Sequence, residues 1–107
     1  MTVLAASLIA LTTFGTHIAV STAGNRNVVA MGIAFSPKEV SIRTGSSVTF
    51  KFLELDTDHN VTSVGTKRFK SISARTTGSV KRTFPRGGIY RYECTLHPGM
   101  TGRIRVR

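Results

Sequence analysis

Apolar and polar residues alternate with a period of two through most of the chain beyond residue 28, and no long segment carries apolar residues at helical spacing. In Glu39-Val40-Ser41-Ile42-Arg43 the alternation turns Val40 and Ile42 inward. In Ser47-Val48-Thr49-Phe50-Lys51-Phe52 the inward set is Val48, Phe50 and Phe52. Arg103-Ile104-Arg105-Val106-Arg107 repeats the pattern with its arginines outward. Ser36-Pro37, Thr44-Gly45-Ser46 and Pro85-Arg86-Gly87-Gly88 punctuate these runs as turns. Short half-buried strands joined this way predict an all-β domain, an antiparallel Greek-key β-sandwich of two sheets. The weakly patterned stretch from Lys67 to Gly78 is where a short helix or an irregular crossing fits.

The same alternation brings chemistry to one end of the sandwich. In Ile89-Tyr90-Arg91-Tyr92-Glu93-Cys94 it places Tyr90, Tyr92 and Cys94 on one face, so the strand aims Cys94 at the end of the core. Either tyrosine hydroxyl, if buried, needs a hydrogen-bond partner. The segment Thr95-Leu96-His97-Pro98-Gly99-Met100 then returns an imidazole and a thioether toward the same point through a tight Pro98-Gly99 turn. Two histidines and a cysteine in a trigonal array, with a methionine at longer range, is the blue-copper arrangement. His59, within Asp58-His59-Asn60-Val61, is the candidate second histidine. Each residue also has a plain alternative: Cys94 as a small buried hydrophobe, Met100 as core filler, His59 as a loop histidine and Asn60 as a turn residue. Zinc competes for such a set, although a thiolate, two imidazoles and a thioether suit copper better.

From about Val28 to Arg107 the chain resembles the cupredoxins, the family of plastocyanin, pseudoazurin and amicyanin. The resemblance rests on Phe35-Ser36-Pro37, Gly45 ahead of Val48-Thr49-Phe50, His59-Asn60-Val61, Phe84, Gly88-Ile89-Tyr90-Arg91-Tyr92, the loop from Cys94 to Met100, and Gly102 with Ile104-Arg105-Val106, in family order. Met100 follows His97 by three residues, the short loop of the amicyanin-like branch. The resemblance implies one type 1 copper ion held by His59, Cys94, His97 and Met100, with Asn60 pinning the two ligand segments together through Thr95. It also implies that the exposed edge of His97 is an electron port, with Met31, Pro98 and Gly99 in a small apolar docking patch around it. The chain departs from the pattern before His59: Asp58 stands where many relatives carry proline, and Phe52 to Asp58 lacks a common asparagine.

Composition changes the picture at the N-terminus and in the choice of partner. Val3 to Leu11 is apolar and Ser21-Thr22-Ala23 is small, so residues 1–23 are expected to be an export signal peptide. The alternative is a retained membrane anchor over Val3 to Val20, diluted by Thr12, Thr13, Gly15 and His17. Cleavage leaves residues 24–107 as one small domain, near the lower limit of what a single core stabilises, and its single Cys excludes an internal disulfide. A copper thiolate occupies that sulfur and stabilises the native state by binding it. All fifteen basic residues lie at or after Arg26, giving a net charge of +10. Such a balance fits an acidic partner, nucleic acid or an anionic surface. Scattered basic residues without a nucleic-acid module argue against nucleic acid and read by default as a solvated surface. The partner expected is a redox protein with an acidic docking surface.

The function expected is that of an exported, monomeric, single-copper electron carrier serving larger redox proteins, in the periplasm, outside the cell or on the outer face of its membrane. Membrane contact is expected only through a retained N-terminal segment. The remaining classes are a copper storage or delivery protein with the same ligands and a metal-free secreted binding module. No serine or cysteine nucleophile arrangement or defined carboxylate pair supports catalysis, and Glu54, Asp56 and Asp58 read as a solvated acidic loop.

Overall fold

The computed structural model describes residues 23–107. The expected export segment, with His17, lies outside the described residues up to position 22. The elements are β1 (Asn25–Met31), β2 (Ala34–Ser36), β3 (Glu39–Ile42), β4 (Ser46–Leu53), β5 (His59–Val64), β6 (Ile72–Arg75), β7 (Thr77–Phe84), β8 (Gly88–Glu93) and β9 (Thr101–Val106). They form a four-stranded sheet in the order β2-β1-β4-β7 and a five-stranded sheet in the order β3-β9-β8-β5-β6. The all-β sandwich expected from the alternation is what forms. Both sheets are mixed rather than purely antiparallel, since β1 runs parallel to β4 and β3 parallel to β9.

Burial follows the period of two. In β4 the residues Val48, Phe50 and Phe52 are buried; in β9 Ile104 and Val106 are; in β8 Tyr90 and Tyr92 are, with Cys94 just beyond. The core between the sheets is aromatic: the Tyr92 ring meets Phe35 and Phe50 edge-on, with centroids 4.9 and 5.3 Å away, and Phe84 meets Tyr90 at 5.0 Å. Tyr90 Oη donates to Arg86 O at 2.8 Å, whereas the Tyr92 hydroxyl is buried with no protein partner, and burial raises its pKa. The tyrosine expectation is thus met at Tyr90 and not at Tyr92.

The stretch from Lys67 contains no helix. An irregular crossing leads into β6, and its backbone is tied down by side chains instead of a ladder. Ser63 Oγ accepts from Phe69 N at 3.0 Å, Ser63 N donates to Ser71 Oγ at 2.9 Å, and Arg82 Nε donates to Lys70 O at 2.7 Å.

Tyr92 lies directly opposite Gly102 across the β8–β9 ladder, and its ring occupies the place of a side chain there. A Cβ on Gly102 would collide with Cζ, Oη and Cε2 of that ring. The ring is itself packed on two others and has no room to retreat. Gly102→Ala is therefore expected to destabilise the fold by about 1–3 kcal/mol, the usual range for overpacking. Urea denaturation of the metal-free chain measures it.

Candidate metal centre

Two separate pieces of backbone meet at one end of the sandwich. His59 opens β5, and Cys94 follows the last residue of β8; the antiparallel pairing of β5 with β8 brings the two to the same end. The loop between β8 and β9 closes tightly. Cys94 N donates to Met100 O at 2.9 Å, and Met100 N donates to His97 O at 3.1 Å. The second bond spans a four-residue turn with Pro98 and Gly99 at its centre, and Gly99 has φ +88°, the positive value that a type II turn requires at that place. This turn folds His97 back beside Cys94, so that Cys94 Sγ and His97 Nδ1 are 3.4 Å apart. Met100 is packed into the core beneath the loop at 1% exposure.

His59, Cys94 and His97 each offer one ligand atom, and the three atoms lie within 4.8 Å of one another. A small contraction suffices for a single ion to reach all three at bond lengths of about 2.0–2.3 Å. The two imidazole rings tilt at 45° with centroids 4.8 Å apart. They differ in access: His59 is wholly buried, whereas His97 is half-buried.

The protonation of His59 follows from its surroundings. Its Nε2 lies 2.6 Å from Glu54 Oε1, and the same oxygen accepts from Gly32 N at 2.8 Å. An ionised carboxylate only accepts, so Nε2 carries the proton, and in the neutral ring that a metal requires Nδ1 presents a lone pair. That Nδ1 is buried with no partner in the protein. A buried acceptor left unpaired costs free energy unless something fills it. The donor set fits a soft metal cation at this point. The hydrogen bond from His59, and next that from Gly32 N, hold the Glu54 carboxyl below its usual range.

Asn60 links the two halves. Its Nδ2 donates to Thr95 Oγ1 at 2.8 Å, its Oδ1 accepts from Thr95 N at 2.9 Å, and its backbone N–H points at Cys94 Sγ from 3.5 Å. The residues singled out from the sequence, His59, Asn60, Cys94, Thr95, His97 and Met100, thus converge on one end of the fold. Glu54 was missed. It read as one of three loop acids, yet it is a half-buried clamp on His59. The signal available was a carboxylate five residues ahead of the candidate histidine, within a span short enough to fold back upon it.

A two-sheet β-sandwich with a buried thiol and two imidazoles gathered at one end defines a cupredoxin. The chain belongs to the plastocyanin/azurin family of copper-binding proteins, whose family model matches residues 22–107. Copper is accordingly its cofactor, and it is a copper electron-transfer protein. Solved structures agree in fold. The copper(I) form of an amicyanin mutant is 25% identical with a TM-score of 0.70, covering 78% of this chain and 83% of that one. A purple cupredoxin from Nitrosopumilus maritimus is 21% identical with a TM-score of 0.66, covering 77% of this chain and 99% of that one. The copper-containing nitrite reductase of Thermus scotoductus SA-01 is 27% identical with a TM-score of 0.67, covering 78% of this chain but only 22% of the reductase. No curated protein matches the chain in sequence.

Proposed function

We propose that this protein is an exported one-electron carrier whose single type 1 copper would be held by His59 Nδ1, Cys94 Sγ and His97 Nδ1, with Met100 as a fourth, weaker ligand. The observation that carries this reading is the buried, unpartnered His59 Nδ1 facing a thiol and a second imidazole. Bound copper supplies a Cu(I)/Cu(II) couple. The protein's own part is to hold the ligands between the preferences of the two oxidation states, so that little moves when the electron does. Glu54 fixes the orientation of His59, and the Asn60–Thr95 pair fixes the spacing of the two ligand segments; partners of this kind govern metal affinity and electronics. No catalytic residue is part of this reading.

His97, half-buried on its loop, is the port for the electron. Exposed apolar residues flank the segments that contact the centre: Met31 and Ile33 on either side of Gly32, Leu53 and Leu55 on either side of Glu54, and Leu96 beside His97. Together with Pro98 and Gly99 they suit an apolar contact with a redox protein, and the net charge of +10 of the whole molecule steers a partner with an acidic surface toward it at long range. The protein acts as a monomer between two larger partners. Electron transfer to an acidic partner should slow as ionic strength rises.

Titration of the purified protein with Cu(II), followed by visible absorption and EPR, tests the centre. One equivalent should give an intense blue band that bleaches and returns through repeated reduction and oxidation without loss of metal. Metal lost on each cycle would favour a copper delivery role. No band at all would sink the type 1 reading. Glu54→Gln should keep the copper but raise the reduction potential, because it removes a negative charge that favours Cu(II). The rise should be on the order of 60 mV, the one-electron equivalent of a tenfold change in equilibrium constant, and voltammetry reads it.

A further inference from the structure

Strand direction gathers the carboxylates of this molecule toward one end and leaves a group of arginines alone at the other. β1, β4 and β8 end, and β5 and β9 begin, at the end that carries Cys94 and His97; β1, β4 and β8 begin, and β3, β7 and β9 end, at the opposite pole. All five carboxylates of the sequence belong to the metal-centre half. Glu54, Asp56 and Asp58 lie in the connection into β5, Glu93 closes β8, and Glu39 opens β3 opposite Arg103. The far pole carries Arg26, Arg43, Arg86 and Arg107, all exposed. Among the described residues none of these four forms an ion pair; the ion pairs are His59–Glu54 and those of Arg103 and Arg105 with Glu39.

The arginines sit on fixed backbone. Arg107 N donates to Ile42 O at 2.9 Å, Thr44 N to Arg107 O at 3.0 Å, Gly45 N to Phe84 O at 2.7 Å and Ser47 N to Gly24 O at 2.9 Å, so the four chain segments that bear them are stitched to one another. Arg26, Arg43 and Arg107 line a cavity of about 510 Å³ whose walls also include Gly24, Ser41 and Ser46 and no acidic residue. Like charges held together without a counter-charge raise the free energy of the folded state, and an external anion relieves that cost. Guanidinium groups match phosphate oxygens with two parallel hydrogen bonds.

What lies against this pole is suggested by the chain itself. Gly24, in the cavity wall, follows the apolar stretch Val3 to Leu11 in sequence, so a chain that keeps that stretch as a membrane anchor is tethered to the bilayer from this pole. The six residues of β9 separate it from the metal centre by about 20 Å, at roughly 3.3 Å per residue, which leaves His97 free. We propose that the Arg26–Arg43–Arg86–Arg107 pole is a docking surface for an anionic phospholipid bilayer, which seats the headgroup phosphates and holds the metal-centre end outward toward its redox partner. The proposal does not depend on which metal the centre binds.

Co-sedimentation of the full-length protein with vesicles tests it. Binding is compared between vesicles of phosphatidylcholine alone and vesicles of phosphatidylcholine with phosphatidylglycerol. The apolar N-terminal stretch contributes equally to both, so the ratio isolates the charge effect. The wild-type chain should prefer the anionic vesicles strongly, and the preference should weaken with salt. Each arginine near a charged bilayer is worth about fivefold, so Arg26→Gln, Arg43→Gln and Arg86→Gln combined should lower the ratio on the order of a hundredfold. Lys51→Gln, Lys81→Gln and Arg91→Gln, which remove the same charge elsewhere, should lower it far less. An equal loss in both triple variants would overturn the proposal, since net charge alone would then suffice. So would a wild-type chain that ignores phosphatidylglycerol yet binds polyglutamate through these arginines, which would assign the pole to an acidic protein.

Discussion

Cys94→Ser is expected to abolish the blue absorption of the copper-loaded protein completely. The sequence contains one cysteine, so every thiolate-to-copper transition must originate at Cys94. The residue is 3% exposed at the end of β8, and Asn60 N–H reaches its sulfur. Serine keeps nearly the same shape in that place, and the loop bonds from Cys94 N to Met100 O and from Met100 N to His97 O belong to the backbone. The fold should therefore persist while the electronic identity of the ligand changes: an alcohol is not deprotonated under conditions where a metal-bound thiol is. Cu(II) held by two imidazoles and an oxygen should give a pale protein with the EPR spectrum of an ordinary tetragonal site. Absorption, EPR and far-ultraviolet circular dichroism on one sample check all three statements. An undiminished blue band would show that the thiolate assignment is wrong.

The segments most legible in the sequence are those whose structure is fixed by neighbours in the chain. The alternation of β8 placed Tyr90, Tyr92 and Cys94 on one face because a strand has no other way to arrange them. The Pro98-Gly99 turn announced itself because those two residues suit the dihedral angles of one turn type. Harder to read were features set by distant partners. Parallel pairing of β1 with β4 and β3 with β9 leaves the same period of two as antiparallel pairing, so the alternation could not reveal it. Strand β7 lies at the edge of its sheet and keeps only Phe84 fully buried, with Val80 partly so, and its pattern is correspondingly faint. Glu54 looked like surface because its burial comes from the β1–β2 hairpin, whose Gly32 N–H binds its carboxylate. The charge separation between the two ends was invisible for a related reason. The acids and the four arginines of the far pole are interspersed in sequence and part company only when the strands take their directions.

Removing either histidine should eliminate the blue centre, but only one loss should be reversible from solution. His97 is half-buried on the outer loop, so His97→Ala opens a gap that faces solvent. Added imidazole can enter it, place a nitrogen where Nδ1 was, and restore the blue band. His59 is wholly buried, and its ring is held by Glu54 from behind. His59→Ala leaves a closed cavity and a carboxylate deprived of its donor, so imidazole should restore nothing. The two variants should also part in stability without metal. His59→Ala combines a large-to-small cavity with a lost hydrogen bond to a charged group and should cost about 2–4 kcal/mol. His97→Ala gives up little packing and, like other changes near the surface, should cost at most about 0.5–1 kcal/mol. Urea denaturation of the metal-free variants and imidazole titration of the copper-loaded ones give the two readouts. Rescue of His59→Ala, or failure to rescue a folded His97→Ala, would reverse the buried and solvent-facing roles, and the electron port would then have to be sought somewhere other than His97.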